Sequence, residues 1–194
     1  KSSSTTGISV PAPTGANVGD LLVCGIMCRS ALSSPTGWVV RETVTGTQFG
    51  QRTVILCKTA TAGDLANPSG FTQATANRFL GQMLAFSKYD GTPVFVSGNS
   101  SVTRNPASST VPSVTGEADG QVAVACGSTI YTNTGNFTMN FSSEWTQVSP
   151  NSGSAIRLGV GYRAVDEGDV TGGTLTQTGN TIDSDWPMVT ALFE

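Results

Sequence analysis

The chain has no histidine. It is also short of charge: of 194 residues, 10 are Lys or Arg and 13 are Asp or Glu, about half the charged share of an ordinary globular domain. Each shortage removes a class of chemistry. Without imidazole there is no Ser-His-Asp or Cys-His relay, no His metal ligand and no His switch near neutral pH. A net charge of −3 leaves no basic footprint for a phosphate backbone, so no nucleic-acid partner is expected. No apolar run approaches the roughly 20 residues of a membrane-crossing helix, and no membrane partner is expected. P-loop, GxSxG, GxGxxG and EF-hand patterns are all missing. No secretory signal precedes the first segment, and the chain opens on Lys1 rather than Met, which reads as a processed, truncated or excised piece.

Cysteine is present but does not read as a framework. Cys24 and Cys28 lie in one apolar run, where four residues of strand span about 13 Å, beyond the reach of a disulfide. Cys57 with Cys126, or Cys24 with Cys57, remains open, but four free, buried thiols used as small core residues is the favoured reading. There is no CxxC pair to hold zinc.

What is there is Gly, Ser, Thr and short apolar segments. Ser and Thr make about a quarter of the chain, and Gly contributes 23 residues. A mean hydropathy of −0.01 and recurrent apolar runs argue for a folded chain. Runs rich in Val, Thr, Ile and aromatics recur between Gly, Pro, Asn and Asp: Asp20–Arg29, Trp38–Thr45, Arg52–Thr59, Phe79–Tyr89, Gln121–Thr129, Ala155–Val165 and Pro187–Phe193. Weaker strand candidates are Ile8–Ala12, Gly70–Thr75, Val94–Val102, Thr110–Thr115, Phe137–Phe141 and Thr174–Thr178. No window holds a 3.6-residue period with caps, so helix is expected to be nearly absent. Several runs, such as Leu21-Leu22-Val23-Cys24 and Met83-Leu84-Ala85-Phe86, are apolar on both parities. Either both strand faces are buried or one face docks on another subunit.

The sequence also repeats itself. VPAPTGANVGDLLV (Val10–Val23) matches VPSVTGEADGQVAV (Val111–Val124) at an offset of 101 residues. Trp38 matches Trp145, and the segment Lys58 to Gly63-Asp64 matches Arg163 to Gly168-Asp169. Gln82–Phe86 aligns with Met188–Leu192, placing Ala85 on Ala191. The order is conserved and the offset changes fall in Gly-rich loops. The reading is a single all-β domain over 1–194, a jelly-roll-like β-sandwich built from two sequence-related halves, about 1–89 and 107–194, with a connector over 90–106. Gly63-Asp64 and Gly168-Asp169 are expected to be turns in which Gly permits positive φ. Trp38 and Trp145 are expected to plug the core or its rim rather than to form sugar platforms.

The blocks VPAP-x-G-x-x-x-GDLLV, P-x-GW-x-x-x-R, V-x-LCKTATAGD and LAFSKYDG-x-P resemble a module of bacteriophage tail-fibre and minor structural proteins and of related bacterial surface proteins. The resemblance covers almost the whole chain, through Tyr89-Asp90-Gly91-Thr92-Pro93 to Ala191-Leu192-Phe193. It implies a β-sandwich displayed on a particle or cell surface, with no catalytic residues to carry over. The four cysteines depart from the secreted versions and suit assembly in the bacterial cytoplasm.

Candidate chemistry is sparse. Asp166-Glu167-Gly168-Asp169 and Asp183-Ser184-Asp185 are the acidic clusters; the first is expected to be a solvated turn, the second sits just before the last strand, and neither shows a complete ligand set for metal. The loop 130–136 places Tyr131, Asn133 and Asn136 together, an aromatic among amides that suits contact with a sugar or protein surface. These three are the candidate binding residues. No catalytic residue, metal or cofactor is assigned. The expected function is a non-enzymatic virion surface protein, a capsid decoration (cement) or tail-fibre-type module. It would act as a homo-oligomer through contacts with capsid or tail subunits. The alternative is a carbohydrate-binding adhesin module for a host cell-surface glycan, which requires exposed aromatics aligned on one face, with Tyr131, Trp38 and Trp145 as candidates.

Overall fold

The computed structural model describes residues 5–87, 94–104, 107–130, 137–153, 156–179 and 185–194. Alternating and continuous apolar runs become strands. In chain order these are β1 (Thr5–Val10), β2 (Leu21–Cys28), β3 (Leu32–Ser33), β4 (Val39–Thr45), β5 (Arg52–Thr59), α1 (Ala62–Ala66), β6 (Ser69–Asn77) and β7 (Leu80–Phe86). There follow β8 (Phe95–Arg104), β9 (Ser108–Thr110), β10 (Gln121–Ile130), β11 (Phe137–Phe141), β12 (Thr146–Gly153), β13 (Ile156–Val165), β14 (Thr174–Gly179) and β15 (Asp185–Phe193). The protein is an all-β sandwich of antiparallel sheets, ordered β1-β6-β3, β4-β5-β2-β7, β12-β13-β10-β15-β8 and β11-β14-β9.

The doubly apolar strands explain why there are four layers. Every residue of β2 and of β10 is buried. Leu21, Val23 and Met27 of β2 meet Val122, Val124, Cys126 and Ile130 of β10 in a central core between the two larger sheets. The alternate residues point the other way. Leu22, Cys24, Ile26 and Cys28 join Phe71 and Trp38 under the sheet β1-β6-β3. Ala123 and Ala125 join Met139, Leu175 and Trp186 under the sheet β11-β14-β9. Side-chain period two thus serves two cores at once. The outer face of these strands is covered by this chain's own small sheets.

Numbering the eight strands β8 to β15 from one to eight, the sheets read 1-8-3-6-5 and 2-7-4. That is a jelly-roll order in which the fifth strand, β12, pairs in the larger sheet rather than the smaller one. The strands before residue 88 follow the same scheme: β7-β2-β5-β4 matches β15-β10-β13-β12, and β1-β6-β3 matches β9-β14-β11. Among the described residues, the larger sheet of the second set has one strand more, β8 beside β15.

Register refines the internal alignment. Leu22 pairs with Lys58, and Ala123 with Arg163. Val39 pairs with Cys57, and Thr146 with Tyr162. Gly19 and Gly120 both have positive φ, at 97° and 79°. Trp38 N–H donates to the Pro35 carbonyl and Trp145 N–H to that of Ser142, closing the same turn before β4 and before β12. The fourth block needs correcting. Val23 pairs with Leu84 while Val124 pairs with Ala191, so Leu84, not Ala85, occupies the position of Ala191. A one-residue slip exchanges strand faces, and the cores agree: Leu84 and Ala191 face the central core, whereas Ala85 packs on the outer one.

The two expected Gly-Asp turns also differ. Gly168 has φ +82° and its turn is as read. Gly63 instead lies inside α1, the single helix among the described residues, nucleated by a capping box. Thr61 Oγ1 accepts the Asp64 N–H, and Asp64 Oδ2 accepts the Thr61 N–H at 2.9 Å. All four cysteines are free and buried. Burial pushes the Cys28 thiol up to about 11 and holds those of Cys24 and Cys126 above their ordinary value.

The close approach of the two large sheets depends on Gly25. A Cβ there would lie 2.5 Å from Cys126 Sγ and 3.0 Å from Val160 Cγ2. Gly25→Ala is therefore expected to cost roughly 2–3 kcal/mol through overpacking. Adding Cys126→Ala removes the clashing sulfur and should recover more than half of that loss. Urea midpoints of the two single variants and the double variant measure the coupling; additive losses would contradict this packing.

Candidate functional site

The residues put forward from sequence fare differently. Tyr131, Asn133 and Asn136 lie outside the described residues. Trp38 and Trp145 are 7% and 5% exposed. Trp38 sits edge-on to Phe71 with ring centroids 5.3 Å apart. Trp145 donates its Nε1–H to the Gly172 carbonyl at 2.6 Å and tilts against Phe141. Each belongs to a different outer core, so these two tryptophans do not contribute exposed rings to one face.

The acidic clusters are spent on structure. Asp166–Asp169 forms a turn in which Asp169 N–H donates to the Asp166 carbonyl at 3.1 Å, and Glu167 N–H donates to Asp119 Oδ1. Asp183 and Ser184 lie outside the described residues. Asp185 is not a surface acid at all. It is fully buried, and its Oδ2 accepts the Gln48 N–H at 2.6 Å and the Thr47 hydroxyl at 2.8 Å. The Gln51 side-chain amide donates to the Asp185 backbone carbonyl. The turn between β4 and β5 thus clasps the start of β15. No group of three His, Cys, Asp or Glu able to hold a metal occurs among the described residues.

The most chemically distinctive concavity involves residues that sequence reasoning did not single out. A cavity of about 310 Å³ opens at the start of β4, lined by Gly37, Val39, Arg41, Cys57, Lys58, Thr59 and Thr61. Arg41 is the extra residue of a β-bulge: Val40 pairs with Leu56 and Glu42 with Ile55, leaving Arg41 without a ladder partner. Bulges re-aim side chains. Here the Arg41 Nε–H donates to Cys57 Sγ at 3.1 Å, and the guanidinium carbon lies 5.6 Å from the Phe95 ring centre. Lys58 Nζ bonds Asp64 Oδ1 at 2.8 Å, both side chains being mostly buried. Burial pushes the Asp64 carboxyl up, but hydrogen bonds from Lys58 and Thr61 outweigh it and hold the group below its ordinary range. The cavity wall therefore carries two fixed cations against one nearby carboxylate. The bulge leaves no mark in the Val-Val-Arg-Glu run, and in the sequence Lys58 stands out only as part of a strand run and of a repeated block.

Comparison of the chain with protein families, curated proteins and solved structures finds no match.

Proposed function

We propose that this chain is a non-enzymatic structural protein of the bacteriophage virion surface, a capsid decoration or tail-fibre-type module acting through protein–protein contacts. The observation that carries the reading is the commitment of its side chains. Strands β2, β10 and β15 are buried at every position, and Asp185, the one fully buried acid among the described residues, is tied to a turn. Such a molecule invests its sequence in a rigid, polar-surfaced stack rather than in a reactive cleft. The resemblance of VPAP-x-G-x-x-x-GDLLV and LAFSKYDG-x-P to phage structural modules supplies the particle.

The matching strand orders of the two halves support descent from one duplicated unit. In this reading the chain is assembled in the bacterial cytoplasm, forms a homo-oligomer and binds capsid or tail subunits. A cyclic arrangement would let the same edge or face meet its neighbour at each repeat. Cryo-EM of particles carrying the chain, with quantitative mass spectrometry, tests this. A fixed stoichiometry to the major capsid protein is expected for decoration, and a few copies at the tail for the fibre module. Purified particles free of the chain would overturn both.

A further inference from the structure

We propose that the cavity at the start of β4 binds a carboxylated sugar, a single uronate-type residue whose carboxylate is held by Arg41. This goes beyond the virion reading and does not rest on it.

Four observations lead there. The first is size: about 310 Å³ accommodates one monosaccharide and is too small for the surface of a folded partner. The second is the state of Arg41. Its Nε is used by Cys57 and its plane is held against Phe95, while its terminal nitrogens bond no acceptor among the described residues. A guanidinium fixed at one corner presents the remaining donors as a planar fork, the geometry that matches a carboxylate. The third is the rest of the lining. Val39 is 45% exposed and offers an apolar wall for a ring face, and Thr59 adds a polar group for a ring hydroxyl, the Thr61 hydroxyl being tied to Asp64.

The fourth is an internal comparison. Gly37 and Glu144 hold the same place, each directly before the tryptophan that closes the turn into β4 or β12. Lys58 and Arg163 also hold the same ladder position. At the second turn the chain supplies its own carboxylate: Glu144 is exposed and held below its ordinary range by its own backbone N–H, by Ser142 and by the charge of Arg163. At the first turn Gly37 supplies none, and a Cβ placed there would stand 3.3 Å from Lys58 Nζ. Gly37 leaves that side of the cavity open and Lys58 takes its carboxylate from Asp64 instead, so Arg41 is the cation of the lining with no carboxylate partner among the described residues.

The test is a ¹⁵N NMR titration of the whole chain with glucuronate, in parallel with glucose, acetate and a short glutamate-containing peptide. Glucuronate is expected to shift the Arg41 Nε–H and the amides of Lys58 and Thr59 saturably, while glucose and acetate shift them weakly. Arg41→Gln should weaken glucuronate binding at least tenfold, and Arg41→Lys should retain part of it, with the amide spectrum of the rest of the fold unchanged in both. No saturable response to glucuronate overturns the proposal. So does an equal response to acetate, a stronger response to the peptide, or undiminished binding in Arg41→Gln.

Discussion

Val124→Asp is expected to leave no folded protein. Val124 is at the centre of β10, fully buried, paired on one side with Tyr162 of β13 and on the other with Ala191 of β15. Its side chain faces the central core with Val23, Leu158 and Val160. Burial of an unpaired carboxylate costs several kcal/mol even when the group protonates. Loss of the valine adds about 1.5–3 kcal/mol. Together these approach the whole stability of a typical domain, roughly 5–15 kcal/mol. Because β10 touches both outer and central cores, neither half can dispense with it. Val124→Ala is the control, with an expected loss of about 2 kcal/mol. Soluble expression, far-UV circular dichroism and trypsin resistance distinguish the two variants. A protease-resistant Val124→Asp would show that the central core is not closed around this residue.

Asp185→Ala is expected to cost about 2–4 kcal/mol. The carboxylate serves the Gln48 N–H and the Thr47 hydroxyl at once, and Gly46 packs against its Cβ. Removing it leaves two donors unmet, each worth about 1–3 kcal/mol where water cannot replace the acceptor. Thr47 is exposed, so the upper end of the sum is not reached. Asp185→Asn keeps an acceptor oxygen and should recover about half the loss. The effect should also be local. Hydrogen exchange at Gln48 should accelerate far more than at Val23 or Val124, since the bond it loses tethers a turn of one half to a strand of the other. A urea midpoint within about 0.5 kcal/mol of the parent would mean that the clasp carries no net stability.

Much of the fold can be read in the sequence because period-two burial writes itself into side chains. β2, β5, β10, β13 and β15 appear as apolar runs because their inner and outer residues are both enclosed. β3 has two residues and can express no period, so only its pairing with Gln73 and Thr72 reveals it. The helix was missed because Gly63 was weighted as a turn residue. The stronger signal was Thr61 three residues before Asp64, the capping pair.

The site is less legible for a different reason. Arg41 owes its direction to a bulge, and a bulge is a property of two strands taken together. In the sequence Asp185 is one member of an acidic cluster just before the last strand; its burial is decided by the turn 46–51, more than a hundred residues away in the chain. The slip in the fourth repeat block has the same origin. Ala85 and Ala191 are identical residues, and only the ladder shows that they face opposite ways.

The tryptophans are partitioned by the layering. Trp38 lies in one outer core, Trp145 and Trp186 in the other, and the central core between the large sheets holds none. Tryptophan fluorescence therefore reads the two flanks of the stack and not its middle. Loosening of the interface between the large sheets would pass unnoticed by that signal until a flank opened. The central layer has to be watched by another probe; of its two cysteines, Cys57 and Cys126, the fully buried thiol of Cys126 opposite Gly25 is the natural place for one.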